Sequence, residues 1–199
     1  MIAALFLYAL ICCSEKPEKS ATVKETVTIL IQPFKGIESE SVKFVAKEIG
    51  KIYPNVKILK PVDFPENAYY SARNRYRADS LIAFLGRNTK KDFVTIGLTS
   101  KDISATKGKI EDFGIMGLGF RPGNACIASS FRLDHKNRDE QFFKVAVHEL
   151  GHTQGLKHCP EKTCFMRSAE GKNLTREETG FCKKCKQVLI NNNWKFSSI

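Results

Sequence analysis

The sequence has no internal repeats and no low-complexity runs, and it is short of acid. Asp and Glu number 21 against 32 Lys and Arg, a formal charge of +11. The first two absences argue against a repeat array and leave one packed core, for which 199 residues at 42% hydrophobic content are enough. The shortage of acid suits acidic substrates, anionic lipid or nucleic acid. Nucleic acid is not expected, because the basic residues are not interleaved with aromatics in any recognisable binding motif. They are spread through the chain, with one cluster at Lys183, Lys184 and Lys186, as in any soluble basic protein. The apolar run Met1–Ile11 has eleven residues, too few to cross a bilayer as a helix. Histidine is scarce as well. The chain has four, and the positions of three of them decide the reading.

Residues 148 to 158 read H-E-x-x-H-x-x-G-x-x-H. His148 and His152 are spaced i, i+4 and share one face of a helix. Gly155 lets the chain leave that helix through a backbone conformation most residues avoid, and the turn returns His158 to the same point. Three neutral imidazoles fill three corners of a tetrahedral zinc site and leave the fourth for water. Glu149 stands beside that corner, where a carboxylate can take a proton from water. Chance would produce five such fixed positions in on the order of one in 10⁵ sequences of this composition. The alternative, a polar helix end with solvated histidines, is therefore set aside.

Cys159, Cys164, Cys182 and Cys185 follow at once, spaced C-x4-C-x17-C-x2-C. Four thiolates close a zinc site with no open corner, which makes it structural. In an oxidising compartment the same four could instead form two disulfides. A redox role for Cys182 and Cys185 lacks the strand-then-helix context it needs. Met166 lies eight residues after His158. On its own, a methionine is usually core filler. His135 and Cys126 read as ordinary structure.

The long zinc motif is the metzincin signature. Together with a Cys directly after the third His, then C-x4-C-x-M and a distal C-x2-C, residues His148 to Cys185 resemble the archaemetzincin family. More weakly, Arg75–Ile82 and Phe113–Leu133 are similar to the family's second helix and rim strand, so the resemblance covers residues 26 to 190. It implies an α/β (α+β) metzincin-like catalytic domain with a mixed twisted sheet, an active-site helix and a small zinc-stabilised C-terminal subregion. It implies two zinc ions. His148, His152 and His158 would hold the catalytic one, with Glu149 as general base, and Cys159, Cys164, Cys182 and Cys185 the structural one. Met166 would form the Met-turn beneath the histidines. Some metzincins place a Tyr just after that Met, whereas Arg167 and Ser168 stand here, so no oxyanion-stabilising side chain is named. The activity implied is that of a zinc metallopeptidase, a monomer whose peptide or protein substrate adds as a strand near Gly117–Phe120. The alternatives are a non-catalytic peptide-binding module, against which the intact Glu149 argues, and a zinc hydrolase of a non-peptide amide.

Between the termini the pattern alternates as an α/β domain does. Thr26–Ile31, Val56–Leu59 and Phe93–Leu98 read as strands, Val42–Tyr53 and Ala72–Leu85 as helices. Ile115–Phe120 and Ala125–Phe131 flank the turn composition Arg121-Pro-Gly-Asn and predict a hairpin at the sheet edge. Asn137 to Glu140 resembles a capping box opening the active-site helix, predicted from Arg138 to Gln154 with Phe143, Val147 and Leu150 on its packed face.

The N-terminus differs in kind. Met1–Ile11 followed by Cys12, Cys13 and Ser14 looks like a bacterial lipoprotein signal. Cys13, three residues after Leu10, is the better lipidation candidate, Cys12 the other. No Lys or Arg precedes the run, unlike a typical signal. Residues 1–25 then form a leader and linker before one domain over 26–199, and the protein is expected to be exported and membrane-anchored. A cytoplasmic protein with a buried N-terminal segment is the alternative.

Overall fold

The computed structural model describes residues 27–169 and 171–197. The leader-like segment, with Cys12, Cys13 and the linker, lies outside those residues, as does Thr26 of the first predicted strand.

Strand β1 (Thr28–Pro33) is flanked by two parallel neighbours, β2 (Val56–Ile58) and β5 (Phe93–Thr99). Strand β9 (Ala125–Ser129) adds in parallel to β5, and β8 (Gly117–Gly119) closes the edge antiparallel to β9, giving the order β2-β1-β5-β9-β8. Val94, Ile96 and Leu98 alternate along β5 and face helices α1 (Ser39–Ile52) and α3 (Arg138–Thr153) in one core. The opposite face carries helix α2 (Ala78–Arg87), whose Leu81, Ile82 and Leu85 are buried with Phe34 and Ile127. Strand β9 serves both layers. Cys126 and Ala128 belong to the first core, Ala125 and Ile127 to the second. Phe143, Val147 and Leu150 of α3 are all buried, as their spacing predicts.

A second sheet of order β3-β4-β6-β7 has no counterpart in the sequence reading. It joins β3 (Tyr69–Tyr70), β4 (Arg75–Arg77), β6 (Ile103–Lys107) and β7 (Ile110–Ile115). The hairpin β6–β7 turns at Gly108, whose φ is +59°. A helix beginning at Ala72 is corrected here. Asn74 takes a left-handed φ of 49°, residues 75–77 pair as β4, and α2 begins only at Ala78. The edge hairpin exists, registered Gly117↔Ala128 and Gly119↔Cys126, but Ile115 belongs to β7. The capping box does not form. Asn137 sits at φ 58° and its side chain caps nothing. Gln141 secures the helix entry instead, donating to the carbonyls of Asp134 and Lys136 and accepting from the Asp134 N–H.

The C-terminal residues form helix α4 (Lys183–Asn191) and a tail. The Trp194 ring lies 4.4 Å from that of Tyr53, and the Ser197 N–H donates to the Ile52 carbonyl, which ties the tail to α1.

Candidate active site and metal centres

Helix α3 carries His148, Glu149 and His152 and ends in a turn in which Gly155 adopts φ +88°. That turn brings His158 beside the other two imidazoles. Ring centroids are 4.7 Å apart for His148–His152, 5.3 Å for His148–His158 and 5.0 Å for His152–His158. One nitrogen from each ring lies within 4.8 Å of the others. For two of the rings a carbonyl fixes which nitrogen that is. His148 Nδ1 meets the Phe165 carbonyl at 2.6 Å and His152 Nδ1 the Leu156 carbonyl at 2.8 Å. A carbonyl only accepts, so each Nδ1 carries the proton and each Nε2 is left as a lone-pair donor. Burial, then the neighbouring His152, pushes His148 down to about 3, and burial, then Arg121, lowers His158. Three imidazoles held neutral with convergent lone pairs fit a zinc ion.

Glu149 is 7% exposed, and burial pushes its carboxyl up to about 8. It lies under the edge strand. A Cβ at Gly117 would stand 2.6 Å from Glu149 Oε1, and one at Gly119 2.6 Å from the Glu149 carbonyl oxygen and 3.2 Å from His152 Cβ. Only residues without side chains on that face let β8 approach α3 so closely. The sequence reading placed the substrate rim at Gly117–Phe120 but gave these two glycines no part in seating Glu149. The G-x-G at the end of the rim segment was the available signal.

Met166 is fully buried beneath the histidines. A Cβ at Gly151, between His148 and His152 on α3, would collide with its sulfur. The Met166 carbonyl accepts from the Cys159 N–H at 2.7 Å, joining the turn to the residue after His158. No tyrosine lines the cleft among the described residues.

Cys159, Cys164, Cys182 and Cys185 also converge, with all four sulfurs within 4.8 Å of one another. The Cys159–Cys182 sulfur separation is 3.7 Å. Zinc–sulfur bonds of about 2.3 Å give a tetrahedral edge of about 3.8 Å, so the spacing fits zinc, and the residues are free thiols. Backbone N–H groups of Cys182 and Met166 point at Cys164 Sγ, at 3.4 and 3.5 Å. Burial and the Cys164 sulfur push the Cys185 thiol up, a crowding that a bound cation relieves. Cys126 lies elsewhere, wholly buried on β9, and His135 meets Arg138 at the surface.

The imidazoles and Glu149 open onto a cleft of about 940 Å³ between the second sheet, β8, α3 and the segment after Met166. Peptidase family M54 matches residues 28–191. The archaemetzincin of Archaeoglobus fulgidus is 35% identical over 162 residues, covering 79% of this chain and 95% of that protein. Its crystal structure, complexed with malonate, superposes with a TM-score of 0.69 at 31% identity over 81% of this chain and 99% of that one. The archaemetzincin structure from Methanopyrus kandleri gives a TM-score of 0.71 at 27% identity, covering 87% and 99%. The chain thus belongs to peptidase family M54, the archaemetzincins, and is a zinc metallopeptidase.

Proposed function

We propose that the protein hydrolyses peptide bonds at the three-histidine centre with Glu149 as general base, and that it carries two zinc ions of unlike character. His148, His152 and His158 would hold the catalytic ion, and Cys159, Cys164, Cys182 and Cys185 a structural one. Bound at the histidines, zinc supplies Lewis acidity, polarising the scissile carbonyl and acidifying water. The rest is the work of the chain. The Phe165 and Leu156 carbonyls hold two imidazoles in the ligating tautomer. Glu149 takes the proton of the attacking water at a carboxylate oxygen and delivers it to the leaving amine. Burial pushes its carboxyl up to about 8, and a cation held at the imidazoles would draw it back toward the carboxylate that accepts the proton. Among the described residues strand β8 has β9 as its only partner within the sheet, so an extended peptide can pair along its outer side and bring its carbonyl over the imidazoles.

The observation that carries this reading is the buried carboxyl of Glu149, set under the glycine rim beside three imidazoles with convergent lone pairs. A zinc ion held only for structure needs no such neighbour. The test is a broad peptide screen on the zinc-loaded chain, with Glu149→Gln alongside. Cleavage by the parent alone supports the reading. Binding without cleavage by either would favour a peptide-binding module. Action as a monomer on a peptide or protein, and export through a lipidated Cys13, belong to the same proposal.

A further inference from the structure

Beside the imidazoles the cleft is bounded by Lys144 and Val145 of α3 on one side and by the segment from Gly171 to Glu178 on the other. Two ionisable side chains in this part are nearly closed from solvent, Lys144 at 8% and Glu178 at 6% exposure. Their situations differ. Lys144 Nζ donates to the Thr175 carbonyl at 3.0 Å and pairs with Glu140 at 2.8 Å. Arg167, the other cation acting on Glu178, pairs with Glu177 at 2.7 Å. Both neighbouring cations are therefore matched to other acceptors. The Glu178 carboxylate, among the described residues, accepts no hydrogen bond and pairs with no cation, yet it lines the cleft.

The oxygens of Glu178 keep contact with solvent in the cleft, while burial around them pushes the carboxyl up to about 7. Such an acceptor on the wall of a ligand cleft is matched when a ligand brings the donor. Of the other cations of the cleft, Arg132 is held bidentately by Asp102, at 2.8 and 2.8 Å, Lys107 sits over the Phe113 ring, 4.5 Å from its centroid, and Lys172 is exposed to solvent, where its charge is screened. Lys144 stands one helical turn before His148 on the same face of α3, about 5–6 Å along it. Glu178 follows Thr175, whose carbonyl accepts from Lys144, by three residues and lines the same cleft as the imidazoles, which puts it within reach of a long side chain beside a bond held there.

We propose that Glu178 determines specificity in this cleft by pairing with a lysine or arginine side chain adjacent to the scissile bond of the substrate. The inference rests on the peptidase reading above. Its test uses the zinc-loaded full chain and peptides that differ at one position flanking the cleaved bond, carrying lysine, arginine, norleucine or glutamate. Norleucine keeps the lysine stem and lacks only the ammonium. Turnover is read as kcat/KM, and binding is read separately by calorimetry in the Glu149→Gln background. The cationic peptides should bind and be cleaved roughly 10- to 100-fold better than norleucine, the usual worth of a hydrogen bond to a charged group. Glu178→Gln should abolish that preference, bringing the cationic peptides down to the level of norleucine, with zinc content and melting temperature confirming the fold. Equal handling of lysine and norleucine by the parent overturns the proposal, as does a Glu178→Gln protein that keeps the preference. The parent comparison decides even if the variant fails to fold. A lysine preference in binding with no cleavage of any peptide would uphold Glu178 and reject the peptidase reading. Cleavage without any charge preference would do the reverse.

Discussion

Replacing Glu149 by glutamine keeps the size of the side chain and removes its charge. Two consequences follow with opposite signs. In the folded chain burial raises this carboxyl from 4.5 to about 8. The folded state therefore binds the proton more tightly than the unfolded state does. The stability this contributes is complete below pH 4.5 and is lost as pH rises through 8. By pH 7 the loss relative to pH 4 is about 3 kcal/mol. Glutamine cannot ionise and escapes it. With the histidine site stripped by a mild chelator, since a cation there would favour the carboxylate, parent and variant should be compared by urea denaturation at pH 4 and pH 7. The variant should gain about 3 kcal/mol on the parent over that interval, while peptide hydrolysis by the zinc-loaded variant falls by roughly 10² to 10⁴. A stability difference that is the same at both pH values would refute the buried, proton-holding carboxyl. A variant that hydrolyses peptide at the parental rate would refute its role as base.

Gly117→Ala would set a Cβ 2.6 Å from Glu149 Oε1, and the displaced carboxylate should cost roughly 100-fold in kcat with zinc at the histidines retained by metal analysis. A chelator titration followed by mass spectrometry should remove one zinc readily and a second only with loss of structure, because an open site exchanges before a closed one that is coupled to folding. Recovery of a single zinc, with the four cysteines in disulfides, would remove the structural site. Cys182→Ser should lower the melting temperature and loosen α4 to hydrogen exchange, even in protein that still binds zinc at the histidines. Mass measurement of protein from its native membrane fraction should find a lipid-bearing N-terminus at Cys13, and an intact Met1 chain in the cytosol would reject export.

The candidate site was legible where its geometry is local. His148 and His152 meet because one helix repeats every 3.6 residues, and His158 joins them through a turn that Gly155 announces. The cysteines were legible by their spacing alone, since their two pairs meet through the bridge between Cys164 and Gly180, with the second pair at the start of α4. What stayed hidden depends on contacts between distant segments. The approach of Gly117 and Gly119 to α3 is fixed by the register of β8 on β9, which single-residue preferences do not encode. The second sheet escaped because its strands run from two to six residues and β4 pairs in parallel with the distant β6. Asn137 misled because a cap residue and a left-handed residue share the same preference for Asn. Glu178 was invisible as anything but surface, since charged residues are rarely buried without a partner.

Strand β8 has a cost as well as a use. An open sheet edge that can accept one extended chain can accept any other, including a strand from another molecule of the same protein. Long apolar edges aggregate for this reason. Here the open edge is three residues long, two of them glycine, and the chain leaves it through Arg121 and Pro122, a charge and a residue with no N–H to donate. The brevity that keeps the rim from templating its own copies also limits how much peptide backbone it can hold. Affinity for a substrate must then come mainly from side-chain pockets flanking the rim, and tight binding should be confined to peptides that fill them.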